Sequence, residues 1–179
     1  SNIPESHIIG SGTMLDTARL RARLSECFSI NQKNVHAYVL GEHGDSSFIP
    51  WSQANVSCVN IEQFRQSFGE HPVISPVDQG EVEHYVRTSG SEIIARKGAT
   101  FYAVSMSVCH ICKCLLSGID TTMTVSTMLH GEYGVDDVCL STLTLIGPDG
   151  VKGKIEVEIT EEEVAKLQAS ANALKAVIA

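Results

Sequence analysis

Residues 121–159, TTMTVSTMLHGEYGVDDVCLSTLTLIGPDGVKGKIEVEI, decide the class of fold. Thr121 to Leu129 is rich in threonine, valine and methionine, and Gly131-Glu132-Tyr133-Gly134 reads as a turn. Val138 to Ile146 alternates, Pro148-Asp149-Gly150 is a strong turn signal, and Lys154 to Ile159 alternates again. Three strands joined by tight turns make an antiparallel meander. A helix follows at once. Thr160 with Glu163 spells a capping box, and Glu161, Glu162 and Glu163 suit the positive end of a helix. Val164, Leu167, Ala171, Leu174 and Ile178 mark one apolar stripe along it.

Upstream of the meander the pattern is mostly helical. From Asp78 to Leu116 helical character dominates, with Gly90 and Gly98 expected to break it into consecutive helices. A Pro-containing loop up to Ser75-Pro76 precedes it, and residues 60–68 suggest a short helix opened by Asn60. Residues 47–57 read as a strand that Pro50 makes an edge or a broken one, and Val35 to Leu40 as a strand that stops at Gly41. Met14 to Phe28 is helical, with Thr13 as N-cap and Asp16 three residues on, resembling a capping box. Helices grouped with an antiparallel sheet give the α+β class: long helices packed with antiparallel sheet, in one domain over residues 1–179. Nowhere does strand, Gly-rich turn and helix recur as a nucleotide-binding fold requires.

Composition narrows the function. Lysine plus arginine is 13 against 21 aspartate plus glutamate, a net charge of −8, so no excess of cations serves nucleic acid or a membrane surface. The longest apolar stretches fall far short of the ~20 residues that span a bilayer, and no signal-peptide pattern opens the chain. A soluble, cytoplasmic protein is expected. The six cysteines are scattered apart from Cys109, Cys112 and Cys114, which lack a second ligand pair and lie in a helical pattern. They are expected to be buried and reduced, and no metal site is expected.

Three features bear on chemistry. His43 stands in Gly41-Glu42-His43-Gly44-Asp45, a loop between strands with no apolar periodicity around it. It reads either as a solvated loop histidine or as a general acid–base, since imidazole titrates near neutral pH. Asp16 and Arg19 share one helix face at i, i+3, either as a surface ion pair or with separate tasks. In the second case Asp16 orients a histidine while Arg19 forks onto a substrate carboxylate. Gly10-Ser11-Gly12 before a helix suggests a phosphate loop, but it lacks the lysine of a P-loop and the spacing of a dinucleotide fingerprint. A hydrolytic triad of His43, Asp16 and Ser46 or Ser47 lacks a nucleophile elbow.

Taken together, Ile9-Gly10-Ser11-Gly12-Thr13-Met14-Leu15-Asp16-Thr17-Ala18-Arg19-Leu20-Arg21 and Val39-Leu40-Gly41-Glu42-His43-Gly44-Asp45-Ser46 resemble the L-lactate dehydrogenase family, within the lactate/malate dehydrogenases. The resemblance continues through Lys97-Gly98-Ala99-Thr100 and the meander into the last helix. It implies the C-terminal catalytic domain of that family, with the NAD-binding Rossmann domain absent from this chain and the isolated piece inactive or nearly so. On this resemblance His43 is the proton donor to the pyruvate carbonyl and Asp16 its carboxylate partner. Arg19 is the bidentate clamp on the substrate carboxylate, and Thr100 lines the substrate pocket. Hydride arriving at a carbonyl carbon builds negative charge on oxygen, which a protonated imidazole answers. A planar guanidinium fits a planar carboxylate better than an ammonium does.

The same resemblance implies NAD as cofactor, no metal, pyruvate and L-lactate as substrates, and a homo-oligomer. Arg21 with His36 resembles the pair that binds fructose 1,6-bisphosphate as effector across a two-fold axis in bacterial members. Gly-Ser-Gly-Thr before Met-Leu-Asp leans towards lactate or a branched-chain 2-hydroxy acid rather than malate. The alternatives are a related L-2-hydroxy-acid dehydrogenase (2-hydroxyisocaproate or malate) and a non-catalytic anion-binding or assembly module. With no Gly-rich strand–turn–helix to cradle pyrophosphate, NADH should bind this chain at most weakly. Fluorescence titration giving micromolar affinity would overturn that expectation.

Overall fold

Two glycines and two hydroxyls bring the chain into its first long helix, Met14–Phe28 (α1). The computed structural model describes residues 2–68 and 77–178. Gly10 exchanges both main-chain hydrogen bonds with Ser126. Gly12 has φ +49°, and a Cβ there would lie 2.3 Å from Ser141 Oγ and 2.7 Å from Ser126 N, so no side chain fits. Thr13 N donates to Ser141 Oγ at 3.0 Å, while Thr13 Oγ1 donates to Val39 O at 2.5 Å. The expected capping box of Thr13 and Asp16 is therefore not formed, because both side chains are engaged elsewhere. α1 buries Leu20, Leu24 and Phe28.

The strand expected over Val35 to Leu40 is only Val35–His36 (β1). Beyond it the main chain is held by side chains: Arg21 Nε donates to Ala37 O at 2.9 Å and Val39 N donates to Thr17 Oγ1 at 3.0 Å. Residues 47–57 do not form one strand either. After Pro50, Trp51–Gln53 turn in a 3-10 helix before Asn55–Val56 (β2), and Val59–Asn60 (β3) completes a small sheet of order β1-β2-β3. Proline removes a ladder donor, so the break falls where the residue type requires it. Asn60 caps Ile61–Gln66 (α2) as expected, accepting from Glu62 N at 2.9 Å.

Gln79–Lys97 (α3) opens on Asp78, whose Oδ1 accepts from Glu81 N at 3.0 Å, and ends at Gly98. Gly90 does not break it, since one interior glycine costs only about 1 kcal/mol and Val82 and Val86 anchor the helix in the α1 core. Tyr102–Leu116 (α4) follows. Its buried positions are Ser107 and Ile111, one turn apart, so Cys109 and Cys112 point outward and are exposed, against expectation. All six cysteines are free, and no group of three or more metal-ligating side chains occurs among the described residues. The loop expected up to Ser75-Pro76 lies largely outside those residues.

The meander forms the larger sheet: Thr121–His130 (β4), Asp136–Gly147 (β5) and Gly150–Lys154 (β6), in order β4-β5-β6. The third strand begins at the turn rather than at Lys154, with Gly147 opposite Gly150. Past it the chain is tied by Tyr133, whose hydroxyl accepts from Val157 N at 2.8 Å. Glu161–Ile178 (α5) carries the expected box: Thr160 N donates to Glu163 Oε2 at 2.9 Å and Glu163 N to Thr160 Oγ1 at 3.2 Å. Leu167 and Ala171 pack on Leu40, Phe48 and Leu140, while Ile178 is exposed rather than part of the stripe. Among the described residues no helix is long and apolar enough to cross a membrane.

The head of α1 is thus wedged against β4 and β5 with no room for a methyl group at Gly12. Gly12→Ala should cost ~2–3 kcal/mol, from the positive φ and the overpacking together. Urea unfolding measures it, and a loss under about 0.5 kcal/mol, the range of neutral surface changes, would refute the wedge.

Candidate active site

A cleft of about 330 Å³ opens between the N-terminal half of α1, the loop after Gly41, and α3 and α4. Four of the residues singled out from the sequence line it together: Asp16, Arg19, His43 and Thr100. Asp16 is buried at 5 % exposure and uses its two oxygens separately. Oδ2 meets His43 Nδ1 at 2.6 Å, and Oδ1 accepts from Arg19 Nη1 at 3.1 Å. The i, i+3 pair on α1 is therefore not a solvated surface contact, since both side chains are largely shielded.

His43 itself remains open to the cleft, its side chain 59 % exposed. The hydrogen bond it donates to Asp16 raises its pKa above the ordinary 6.5, burial and the Arg19 charge oppose the shift, and the charges of Asp16 and Glu42 add to it. With Nδ1 held against a carboxylate, the proton that exchanges with the cleft is the one on Nε2. One buried carboxylate thus holds, in one frame, an imidazole able to exchange a proton and a guanidinium able to bind an anion.

The serines beside His43 form no triad with it. Ser46 Oγ donates to the Glu42 carboxylate and faces Ser170 Oγ at 2.9 Å. At Gly10-Ser11-Gly12 two of the amides an anion cradle would use are already taken, Gly10 N–H by Ser126 O and Thr13 N–H by Ser141 Oγ. Arg21 lies on a different face, in a separate cleft of about 590 Å³ between α1, α4 and β4. Its guanidinium stacks 4.9 Å from the centre of the Tyr38 ring, and Nε holds the carbonyl of Ala37, the residue after exposed His36.

Sequence reading missed the far wall. Arg87, Gly90, Ser91 and Ile94 of α3 and Val104 of α4 face the same cleft. Arg87 Nη2 is held by Glu83 Oε2 at 2.9 Å, and the other oxygen of Glu83 accepts from Trp51 Nε1 at 2.9 Å. The i, i+4 spacing of Glu83 and Arg87 is visible in sequence, but nothing local says that this face of α3 looks onto α1.

A family model described as lactate/malate dehydrogenase, alpha/beta C-terminal domain, matches residues 13–179. L-lactate dehydrogenase 2 of Clostridium acetobutylicum is 42 % identical over 175 residues, 98 % of this chain and 54 % of that protein. L-lactate dehydrogenase of Acetivibrio thermocellus is 38 % identical over 178 residues, 99 % of this chain and 56 % of that protein. The crystal structure of a lactate dehydrogenase from a Medee basin deep-sea metagenome library superposes with a TM-score of 0.91 at 38 % identity, over 98 % of this chain and 55 % of that one. The chain thus spans about half the length of the relatives it matches.

The Asp16–His43 contact has a definite pH signature. A histidine midpoint raised by folding adds stability that is complete below about 6.5 and fades as pH rises through the folded-state midpoint. NMR titration should place the His43 midpoint above 6.5, and Asp16→Asn should lower it by removing the facing charge. A midpoint indifferent to Asp16→Asn would refute the contact.

Proposed function

The chain belongs to the lactate/malate dehydrogenase family as its alpha/beta C-terminal domain, and we propose that it is the substrate-binding half of an NAD-dependent L-lactate dehydrogenase. The observation that carries this reading is the single buried carboxylate of Asp16 bridging His43 and Arg19 in one cleft. Such a frame suits a small 2-oxo acid, whose carboxylate and carbonyl lie on adjacent carbons. Arg19 takes the carboxylate, and His43 Nε2 gives its proton to the carbonyl oxygen as the ketone becomes an alcohol. In the oxidative direction the neutral ring withdraws that proton, and Asp16 stabilises the imidazolium that results. Substrate binding also favours the protonated ring, because an anion at Arg19 offsets the guanidinium charge that works against imidazolium. Thr100, with Leu15, Ile94 and Val104, lines the cleft.

NAD fits this chain in part. Two amides of the Gly10–Thr13 turn, those of Gly10 and Thr13, are already taken and do not cradle a pyrophosphate, whereas the apolar side chains of the cleft suit the nicotinamide end. When bound, NADH supplies the hydride to the carbonyl carbon. The 179 residues then serve as one substrate domain of a longer cytoplasmic homo-oligomer.

One observation favours a bulkier substrate as the second reading. Gly90 faces the cleft, where a Cβ would approach only Arg19 Nη1, at 4.0 Å. Packing does not demand glycine there, and its absent side chain leaves room for a branched 2-oxo acid. Arg21 and His36, on neighbouring main chain, are proposed as the effector pair for a bisphosphate such as fructose 1,6-bisphosphate.

The test uses the whole protein. Pyruvate should be reduced in preference to 2-ketoisocaproate, and the opposite order would select the second reading. His43→Gln should lower kcat/KM by about 10²–10⁴ as a lost general acid–base. Arg19→Lys should weaken substrate binding by loss of the bidentate fork. Arg21→Gln should abolish bisphosphate activation and leave basal turnover. Full activity of His43→Gln would overturn the catalytic reading.

A further inference from the structure

The loop carrying His43 leaves β5 at Gly41, which exchanges both main-chain hydrogen bonds with Ser141, and closes where Leu40 and Phe48 do the same. Between these points the main chain of residues 42–47 also bonds within the loop, Gly44 N to Glu42 O and Ser47 N to Gly44 O, and needs an anchor on the rest of the fold. It comes from Ser170 on α5, 128 residues from Glu42 in sequence and on a helix none of whose residues lines the cleft. Ser170 is fully buried at 0 % exposure.

Its hydroxyl belongs to a closed ring. Glu42 N–H donates to Ser170 Oγ at 2.9 Å, and the Ser170 and Ser46 hydroxyls lie 2.9 Å apart. Ser46 Oγ donates to Glu42 Oε2. Since the Ser46 proton is given to the carboxylate, the proton between the two serines is that of Ser170. The bonds then run Glu42 to Ser170, Ser170 to Ser46 and Ser46 back to Glu42, spanning both sides of His43. Gly41 admits the ring: with φ +94°, a Cβ there would stand 2.8 Å from Ser170 Oγ. A helical serine often turns its hydroxyl back onto its own helix, which makes this outward use the informative one.

We propose that Ser170 is a positioning residue for His43, holding residues 42–46 so that the imidazole Nδ1 stays on Asp16. The role in the reaction rests on the catalytic reading of His43, but the positioning does not. The charged groups around the ring are Asp16 and Arg19 of α1, Glu42 and Asp45 of the loop, and Arg87 of α3. None of them sits on α5. A change at Ser170 therefore reaches the imidazole only through the loop.

The test is Ser170→Ala in the 179-residue chain, read by NMR titration of His43 and by hydrogen exchange of the loop amides. The His43 midpoint should fall towards 6.5, and the Glu42 amide should exchange at least ~tenfold faster, as loss of its acceptor implies. Leu174→Ala, which trims the apolar packing of α5 and touches no hydrogen bond of the ring, should lower global stability and leave the His43 midpoint in place. Ser46→Ala breaks the same ring from the loop side and should shift both readouts in the same direction even if Ser170→Ala does not fold. An unmoved midpoint and unchanged loop exchange in a folded Ser170→Ala, or in Ser46→Ala, would overturn the proposal. Neither readout depends on turnover, so failure of the catalytic reading would appear separately, as full activity of His43→Gln.

Discussion

Ser141 is the joint on which the site depends. On β5 its hydroxyl accepts from Thr13 N, three residues before Asp16, and its main chain pairs with Gly41, two residues before His43. One strand position therefore sets the separation of two side chains that are 27 residues apart in sequence. Thr13 and Thr17 extend the joint, gripping the carbonyl and the amide of Val39 between them, and Thr17 meets Thr124 of β4 at 2.9 Å. Buried hydroxyls are costly when unpaired and directional when paired, which suits them to fixing a register that apolar contacts alone leave loose.

That joint also explains which parts of the chain were legible beforehand. Elements governed by neighbouring residues appeared where sequence placed them: α1, α2 with its Asn60 cap, the first two strands of the meander, and α5 with its box, whereas the third strand runs Gly150–Lys154 instead of Lys154 to Ile159. The strand over Val35 to Leu40 shortened because the hydrogen-bond partners of its main chain come from α1 and its cap, Arg21 and Thr13 as donors and Thr17 as acceptor, whose approach no local pattern announces. The same approach drew Thr13 out of its capping role. Gly90 failed as a breaker because a distant core held α3 together, and Cys109 and Cys112 emerged because α4 buries only a narrow stripe.

The site divides along the same line. Asp16, Arg19, His43 and Thr100 were found from local motifs and their family resemblance, and all line one cleft. What escaped notice acts at a distance: the α3 wall with Arg87, and the support from α5 through Ser170. The side chains found from motifs sit in short recognisable stretches. Those that hold them still are scattered among ordinary serines and threonines, where spacing carries no signal.

Trp51 turns this arrangement into an optical gauge. It is the only tryptophan in the chain, and its indole N–H is bound to the carboxylate that also holds Arg87 at the cleft wall. Any change in how Glu83 holds Arg87 at the cleft wall therefore alters the charge beside the indole. Intrinsic emission of this one ring then reports on the Glu83–Arg87 pair without any added dye, with no second tryptophan in the 179 residues to blur the signal.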